Sequence, residues 1–285
     1  MTNQRIRLTR DRALTLIATL LAFAGAAGAA IPPDADGALD ALNNSPRHGE
    51  WVDINEGRAA SDRWGDSVRA WVSYPERATR APVVIVIHEI FGLTDWVRSV
   101  ADQFAAEGFI AIAPDLLSGL GPDGGGTPSD RQQAVALVRA LRVEDTTRRL
   151  SSVARYGLSL PAANGRFGAV GFCWGGSTTF NFAANEGNLD AAAVYYGSSP
   201  SRVMLGRVKA PVLGLYGGDD ARVNATIPDA VREMRRMGKF YEPRRFEGAG
   251  HGFLRQQSGR DGANLEAAKQ AWPATISFFR EHLEK

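Results

Sequence analysis

The 285-residue chain predicts an α/β fold: one doubly wound, mostly parallel sheet with helices on both faces, in a single domain. Three observations carry that expectation. Continuous apolar, β-branched runs such as "APVVIVIHEI" (81–90) have the composition of strands buried on both faces. Segments of helical apolar spacing alternate with them, as in "DWVRSVADQFAAEG" (95–108). No internal repeat interrupts the alternation, and at 44% apolar and 22% charged the composition is that of a globular chain.

In chain order, residues 1–29 read as a secretory signal peptide. Arg5, Arg7, Arg10 and Arg12 precede the apolar run "ALTLIATLLAFAGAAGAA", which ends in an A-x-A site at Ala27-Gly28-Ala29, so cleavage is expected at Ala29 or Ala30. The run is short and rich in Gly and Ala at its end, which favours cleavage over an uncleaved anchor. An exported protein, periplasmic or secreted, with no stable membrane association after cleavage, is the expectation. Residues 30–65 are turn-rich and read as a loosely ordered lead-in. The domain proper is expected over 66–285. Its elements are a strand at "SVRAWVSYP" (67–75), the run from Ala81, the helix from Asp95, and a second buried strand, "FIAIAPD" (109–115). The Gly- and Pro-rich stretch "LLSGLGPDGGGTPSD" (116–130) reads as a loop on a functional rim or as a tolerated insertion. Helical spacing resumes from Arg131 to about Gly157. Then follow the strand "FGAVGF" (167–172), a helix to about Asn185, strands at "AAAVYYG" (191–197) and "APVLGLYGG" (210–218), a helix near 228–237, the strand "KFYEPRRFEG" (239–248) and a closing helix near 265–283.

Charge and cysteine usage narrow the function. The formal net charge is +2, but residues 1–29 hold four arginines and one aspartate, so the mature chain carries 29 basic against 30 acidic positions. No Lys/Arg cluster is interleaved with aromatics, which argues against a nucleic-acid partner. The single cysteine, Cys173, cannot form an internal disulfide, so its thiol serves either packing or chemistry. It sits where the strand "FGAVGF" runs straight into a helix, inside Gly-Phe-Cys-Trp-Gly. That G-x-nucleophile-x-G turn pushes the middle side chain outward, and a helix N-terminus favours thiolate over thiol.

A nucleophile on this strand-turn-helix needs a base and an orienting acid later in the chain. Of the four histidines only His251, in "GAGHGF" after the last expected strand, is suitably placed; His48 lies in the lead-in, His88 precedes the cysteine and His282 sits among charges on the terminal helix. Asp219 and Asp220 both follow the strand "VLGLYGG". One can cap the next segment while the other orients the imidazole, and spacing alone does not choose between them. The chain leaves a central strand at His88-Glu89, and the backbone N–H groups of Ile90 and Trp174 are the expected oxyanion donors. Glu89 is placed to face the thiol.

Together the motifs H-E-I-F-G, G-F-C-W-G-G, G-G-D-D and G-H-G-F resemble the dienelactone hydrolase family of the α/β-hydrolases, over about Asp66 to the C-terminus. The resemblance implies Cys173 as nucleophile, Asp220 rather than Asp219 as acid and His251 as base. It also implies that Glu89 helps to set the charge of the thiol and exchanges partners with an arginine, for which Arg255 stands in the right place. The chain departs from the family at "DLLSG": Leu117 and Gly119 occupy the places of a tyrosine and of the arginine that holds a dienelactone carboxylate, so the reaction carries over but the substrate does not. The implied reaction is hydrolysis of an ester or lactone in a small molecule, without cofactor or metal; the sequence does not fix the oligomeric state, with a monomer favoured. A redox thiol is a weaker reading because no second cysteine can resolve a sulfenic acid. A non-catalytic binder on a hydrolase scaffold is the remaining alternative.

Overall fold

The computed structural model describes residues 29–57 and 67–285. Apart from Ala29, the expected signal peptide lies outside the described residues. In chain order the elements are α1 (Ala38–Asn43), β1 (Gly49–Asn55), β2 (Ser67–Ser73), β3 (Ala81–Ile87), α2 (Asp95–Ala106), β4 (Ile110–Pro114), α3 (Arg131–Arg139), α4 (Val143–Ser159) and β5 (Ala163–Phe172). They continue with α5 (Trp174–Asn185), β6 (Ala191–Tyr195), α6 (Arg202–Leu205), β7 (Val212–Gly217), α7 (Ala221–Asn224), α8 (Ile227–Arg236), β8 (Tyr241–Phe246) and α9 (Ala263–Leu283). The strands form one eight-stranded sheet in the order β1-β2-β4-β3-β5-β6-β7-β8. Pairing is antiparallel for β1 with β2 and β2 with β4, and parallel across the rest. This is the expected doubly wound α/β architecture.

β3 shows why the β-branched runs read as they do. Val83, Ile85 and Ile87 pack into the core on one face, and Val84 and Val86 into the core on the other, all fully buried. A strand covered on both sides has no polar position to alternate with, so its pattern is continuous. The first face is closed by residues of α4, α5 and α8, such as Leu150, Phe180 and Met234. The second is closed by α2 and α9, through Trp96, Phe104, Trp272 and Phe279.

Two expectations are corrected. The helical stretch from Arg131 is two helices, with Asp130 capping α3 by accepting from Gln133 N–H at 2.7 Å and a break at residues 140–142 before α4. Over residues 30–57 the segment is not a loose lead-in. It contributes α1, which packs on α2, and the edge strand β1, whose ladder with β2 runs from Gly49↔Ser73 to Asn55↔Ser67. A domain boundary at residue 66 would therefore cut between paired strands. The turn-rich composition concealed this because β1 owes its order to its partner, including the edge contact of Trp51 with Trp71 at 5.4 Å, rather than to its own pattern. Asp102 of α2 fastens the same region by accepting from Ser45 Oγ at 2.7 Å and pairing with Arg47.

The segment is also riveted electrostatically. The carboxylate of Glu56, its side chain fully buried, pairs with Arg148 at 3.0 Å and with the equally buried Arg149 at 3.2 Å, both on α4. Removing one partner of a buried ion pair leaves an uncompensated charge, which typically costs about 3–5 kcal/mol. Glu56→Gln should lower the unfolding free energy by about that amount in urea titrations. A loss below about 1 kcal/mol, the value of a solvent-exposed pair, would show that the segment is not integrated in this way.

Candidate functional site

β5 delivers Cys173 to the carboxyl end of the sheet, and α5 begins at the next residue. The backbone of Cys173 sits at φ 57, ψ −114, a conformation that side-chain-bearing residues seldom adopt and that turns the strand sharply into the helix. Gly175 lets the first turn of α5 approach the end of β3: a Cβ there would collide with the carbonyl oxygens of His88 and Ile87. Gly176 does the same against the carbonyl of Tyr195 at the end of β6. The cysteine N–H is tied to that Tyr195 carbonyl at 3.1 Å.

The thiol is partly buried, and its pKa is pushed up to about 11. Burial is the larger cause and the negative charge of Glu89 the second; the N–H groups of Trp174 and Ile90, with Arg222 on α7, pull in the opposite direction. A helix N-terminus by itself favours thiolate over thiol. Its donors are in place, but desolvation outweighs them and the resting group is a neutral thiol. The two backbone N–H groups expected to serve an oxyanion are thus directed at the sulfur itself. The loop that supplies Ile90 is held by His88, whose buried ring donates from Nδ1 to the carbonyl of Glu89 at 2.7 Å and stacks on Trp174 with centroids 5.4 Å apart. Burial lowers the pKa of His88, so it serves as a neutral prop.

His251 follows β8 in a turn, and its Nδ1 lies 2.5 Å from Oδ2 of Asp220. That geometry fixes Nδ1 as the ring nitrogen that faces the acid and leaves Nε2 unengaged by it. Asp219 is elsewhere, half exposed and paired with Arg260 at 3.1 Å. The division of labour between the two aspartates is corrected accordingly: Asp220 both faces the imidazole and caps α7 by accepting from Val223 N–H at 3.4 Å, while Asp219 does neither.

Glu89 is buried and ion-paired to Nε of Arg255 at 2.6 Å. Burial is the main influence on its pKa and raises it, and Arg255, His251 and Arg131 act against that rise. Arg255, the arginine that the resemblance implies as an exchange partner of Glu89, is paired with it in this structure. Arg131, at the start of α3, was not singled out from the sequence; its guanidinium lies 3.8 Å from the centre of the Phe91 ring, and that of Arg255 lies 5.2 Å away. A cavity of about 600 Å³ opens beside these groups, bordered by Phe91, Trp96, Thr127, Arg131 and Arg255, with Ala35 on its rim. Its cationic and aromatic wall suits an anionic or electron-rich group. The long loop is moored there through Asp115, which accepts from Thr127 N–H at 2.6 Å and Thr127 Oγ1 at 2.8 Å. Leu117 is fully buried, so nothing from the "DLLSG" stretch replaces the absent arginine; the cations beside the cavity come from α3 and from the turn after His251. Among the described residues no cluster of three His, Cys, Asp or Glu side chains is placed to hold a metal ion.

Residues 68–283 match the dienelactone hydrolase family. Carboxymethylenebutenolidases from Pseudomonas putida and Pseudomonas knackmussii are each 32% identical over 210 residues, covering 72% of this chain and 88% of theirs. A crystal structure of dienelactone hydrolase from Anabaena variabilis superposes with a TM-score of 0.62 at 20% identity, covering 83% of this chain and 99% of its own, a likeness of fold. The chain belongs to the dienelactone hydrolase family and is a hydrolase of the carboxylic ester and lactone class.

Proposed function

We propose that this hydrolase works through Cys173 as a covalent nucleophile, with His251 and Asp220 as its base and orienting acid, on an ester or lactone of a small molecule. The observation that supports this most is a sulfur held at a strained φ of 57 with the backbone N–H groups of Ile90 and Trp174 acting on it, in a structure where Asp220 sets the His251 imidazole at 2.5 Å. In the proposed reaction His251 Nε2 takes the thiol proton as the sulfur attacks the carbonyl carbon. The carbonyl oxygen becomes an oxyanion held by the N–H groups of Ile90 and Trp174. Collapse of the tetrahedral adduct breaks the carbon–oxygen ester bond, and His251 passes its proton to the leaving alkoxide. Water, deprotonated by His251, then attacks the thioester and releases the acid and the free thiol. Export belongs to the same proposal and is supported by the arginine-led apolar run ending at Ala29.

Turnover of p-nitrophenyl acetate by the purified protein separates a hydrolase from a binder. Cys173→Ala should reduce kcat/KM by at least about a thousandfold, because the covalent route is removed while only a small side chain is lost. Mutant activity within about tenfold of wild type would remove Cys173 from the mechanism.

The two aspartates give a second test. Asp220→Asn should lower kcat by orders of magnitude and also lower the melting temperature slightly, since the α7 cap weakens, whereas Asp219→Asn should leave kcat unchanged because a surface ion pair contributes only about 0–1 kcal/mol. Loss of kcat in Asp219→Asn with none in Asp220→Asn would reverse the assignment.

A third test reads the thiol without turnover. With a pKa of about 11 the alkylation rate of Cys173 by iodoacetamide should be low at neutral pH and climb about tenfold per pH unit toward that value. Glu89→Gln removes the second cause of the upward shift and leaves Arg255 without its partner, so labelling at neutral pH should be several-fold faster, up to about tenfold. Equal or slower labelling would mean that Glu89 does not repel the thiolate.

A further inference from the structure

Beside this site lies a tyrosine with no assigned task. Three tyrosines are fully buried, and two have partnered hydroxyls: Tyr195 with Thr275 at 2.7 Å and Tyr216 with Tyr241 at 2.8 Å. The third, Tyr196, has a buried hydroxyl without a hydrogen-bond partner among the described residues. Its backbone is at φ 38, an outlier for a bulky side chain, although its N–H is anchored to the Leu215 carbonyl at 2.8 Å. An unmade buried hydrogen bond and a strained backbone are both destabilising, and their coincidence at one residue points to a function rather than to packing. The position is specific. The ring meets His251 edge-on at 5.2 Å, and the residue stands one place beyond Tyr195, whose carbonyl holds the Cys173 N–H. Burial above all drives the ionisation of the phenol upward, and negative charge on Glu89, or on Cys173 once it ionises, drives it further, so the hydroxyl stays a hydrogen-bond donor.

The chemistry proposed above creates a need for such a donor. At rest the N–H groups of Trp174 and Ile90 are directed at the sulfur. During attack the same two groups must hold the carbonyl oxygen and cannot also satisfy the sulfur. A thiolate leaving them in a desolvated site would lose these two backbone donors just as it gains charge. We propose that the Tyr196 hydroxyl is that missing donor: it hydrogen-bonds the Cys173 thiolate when the sulfur leaves the two N–H groups to attack. No proton is transferred; the phenol remains protonated, and the thiol proton goes to His251.

This inference rests on Cys173 as nucleophile, and the experiment keeps the two apart because alkylation of Cys173 reports on the sulfur whether or not it is the nucleophile. Tyr196→Phe deletes only the hydroxyl. The expected results are a melting temperature unchanged or higher, since an unpartnered buried group is removed, and kcat on p-nitrophenyl acetate about tenfold lower with KM changed less than about twofold. The pH midpoint of iodoacetamide labelling should move upward. The Glu89→Gln background distinguishes the other acceptor within reach, for a donor to the sulfur should have the same effect there as in wild type. An effect that vanishes in that background would overturn the proposal and make Tyr196 an anchor of Glu89. Unchanged kcat and labelling with a lowered melting temperature would also overturn it, leaving Tyr196 a packing residue.

Discussion

The turn from β5 into α5 forces Cys173 to φ 57, ψ −114, a region in which a non-glycine residue carries strain on the order of 1–3 kcal/mol, and the surrounding structure is arranged to hold that turn closed. The first turn of α5 is pressed against the carbonyls of Ile87 and His88 on one side and of Tyr195 on the other, contacts possible only because residues 175 and 176 lack a Cβ. Those carbonyls are fixed because β3 and β6 are central strands, paired on both edges and buried on both faces. At roughly 1.5–3 kcal/mol for each fully buried large aliphatic side chain, the β3 run alone outweighs the strain of the elbow. The sheet therefore does more than carry the cysteine: its burial supplies the stability against which a strained sulfur can be held in place.

The same burial decides the charge of the site. A helix N-terminus stabilises an anion by about 0.3–1 kcal/mol, and up to about 2 in a partly buried geometry. The thiol, with its pKa pushed up to about 11, is held neutral by roughly 3 kcal/mol relative to an ordinary cysteine, so desolvation and Glu89 prevail. Glu89 persists in a buried position because Arg255 compensates it at 2.6 Å, while Arg131 adds positive potential. A neutral thiol reacts slowly with small oxidants, since the thiolate is the species that is oxidised. Compensation by an arginine that also borders the cavity links the charge of the acid to whatever occupies that cavity.

The parts of this arrangement that were legible in the sequence follow local rules. Glycines around Cys173 mark a sharp turn, β-branched runs mark strands buried on both sides, and a histidine after the last strand has few other uses. What was not legible depends on partners distant in the chain. β1 has no strong pattern of its own and becomes a strand by pairing with β2. The break between α3 and α4 contains neither glycine nor proline and so gives no local signal. Asp219 and Asp220 are chemically identical, and only the path of the turn after β7 sends one toward His251 and the other toward Arg260. Tyr196 reads as one more aromatic core residue, because an unpartnered hydroxyl is a property of its surroundings and not of its sequence neighbours.

The distribution of these elements separates the residues proposed for the chemistry from the wall of the cavity. Cys173, Asp220, His251, Glu89 and Tyr196 stand at or just beyond the carboxyl ends of parallel strands, where the main chain is fixed by ladder pairing with both neighbours or by the core beneath. The wall of the cavity is drawn from other segments: the loop after β4 through Thr127, the start of α3 through Arg131, and the stretch before α1 through Ala35. That last stretch lies before residue 68, where the family match begins, yet it is fastened to the site, with Ala35 N–H donating to the Arg255 carbonyl at 3.0 Å and Gln257 donating to the Pro32 carbonyl at 2.8 Å. A strap on the backbone of Arg255 constrains the same residue whose guanidinium neutralises Glu89. Changes in the rim therefore reshape the cavity without touching the sulfur, whereas changes that reach Arg255 alter the cavity wall and the charge balance of Glu89 together. In this fold the arginine after the histidine is the point at which the two are coupled.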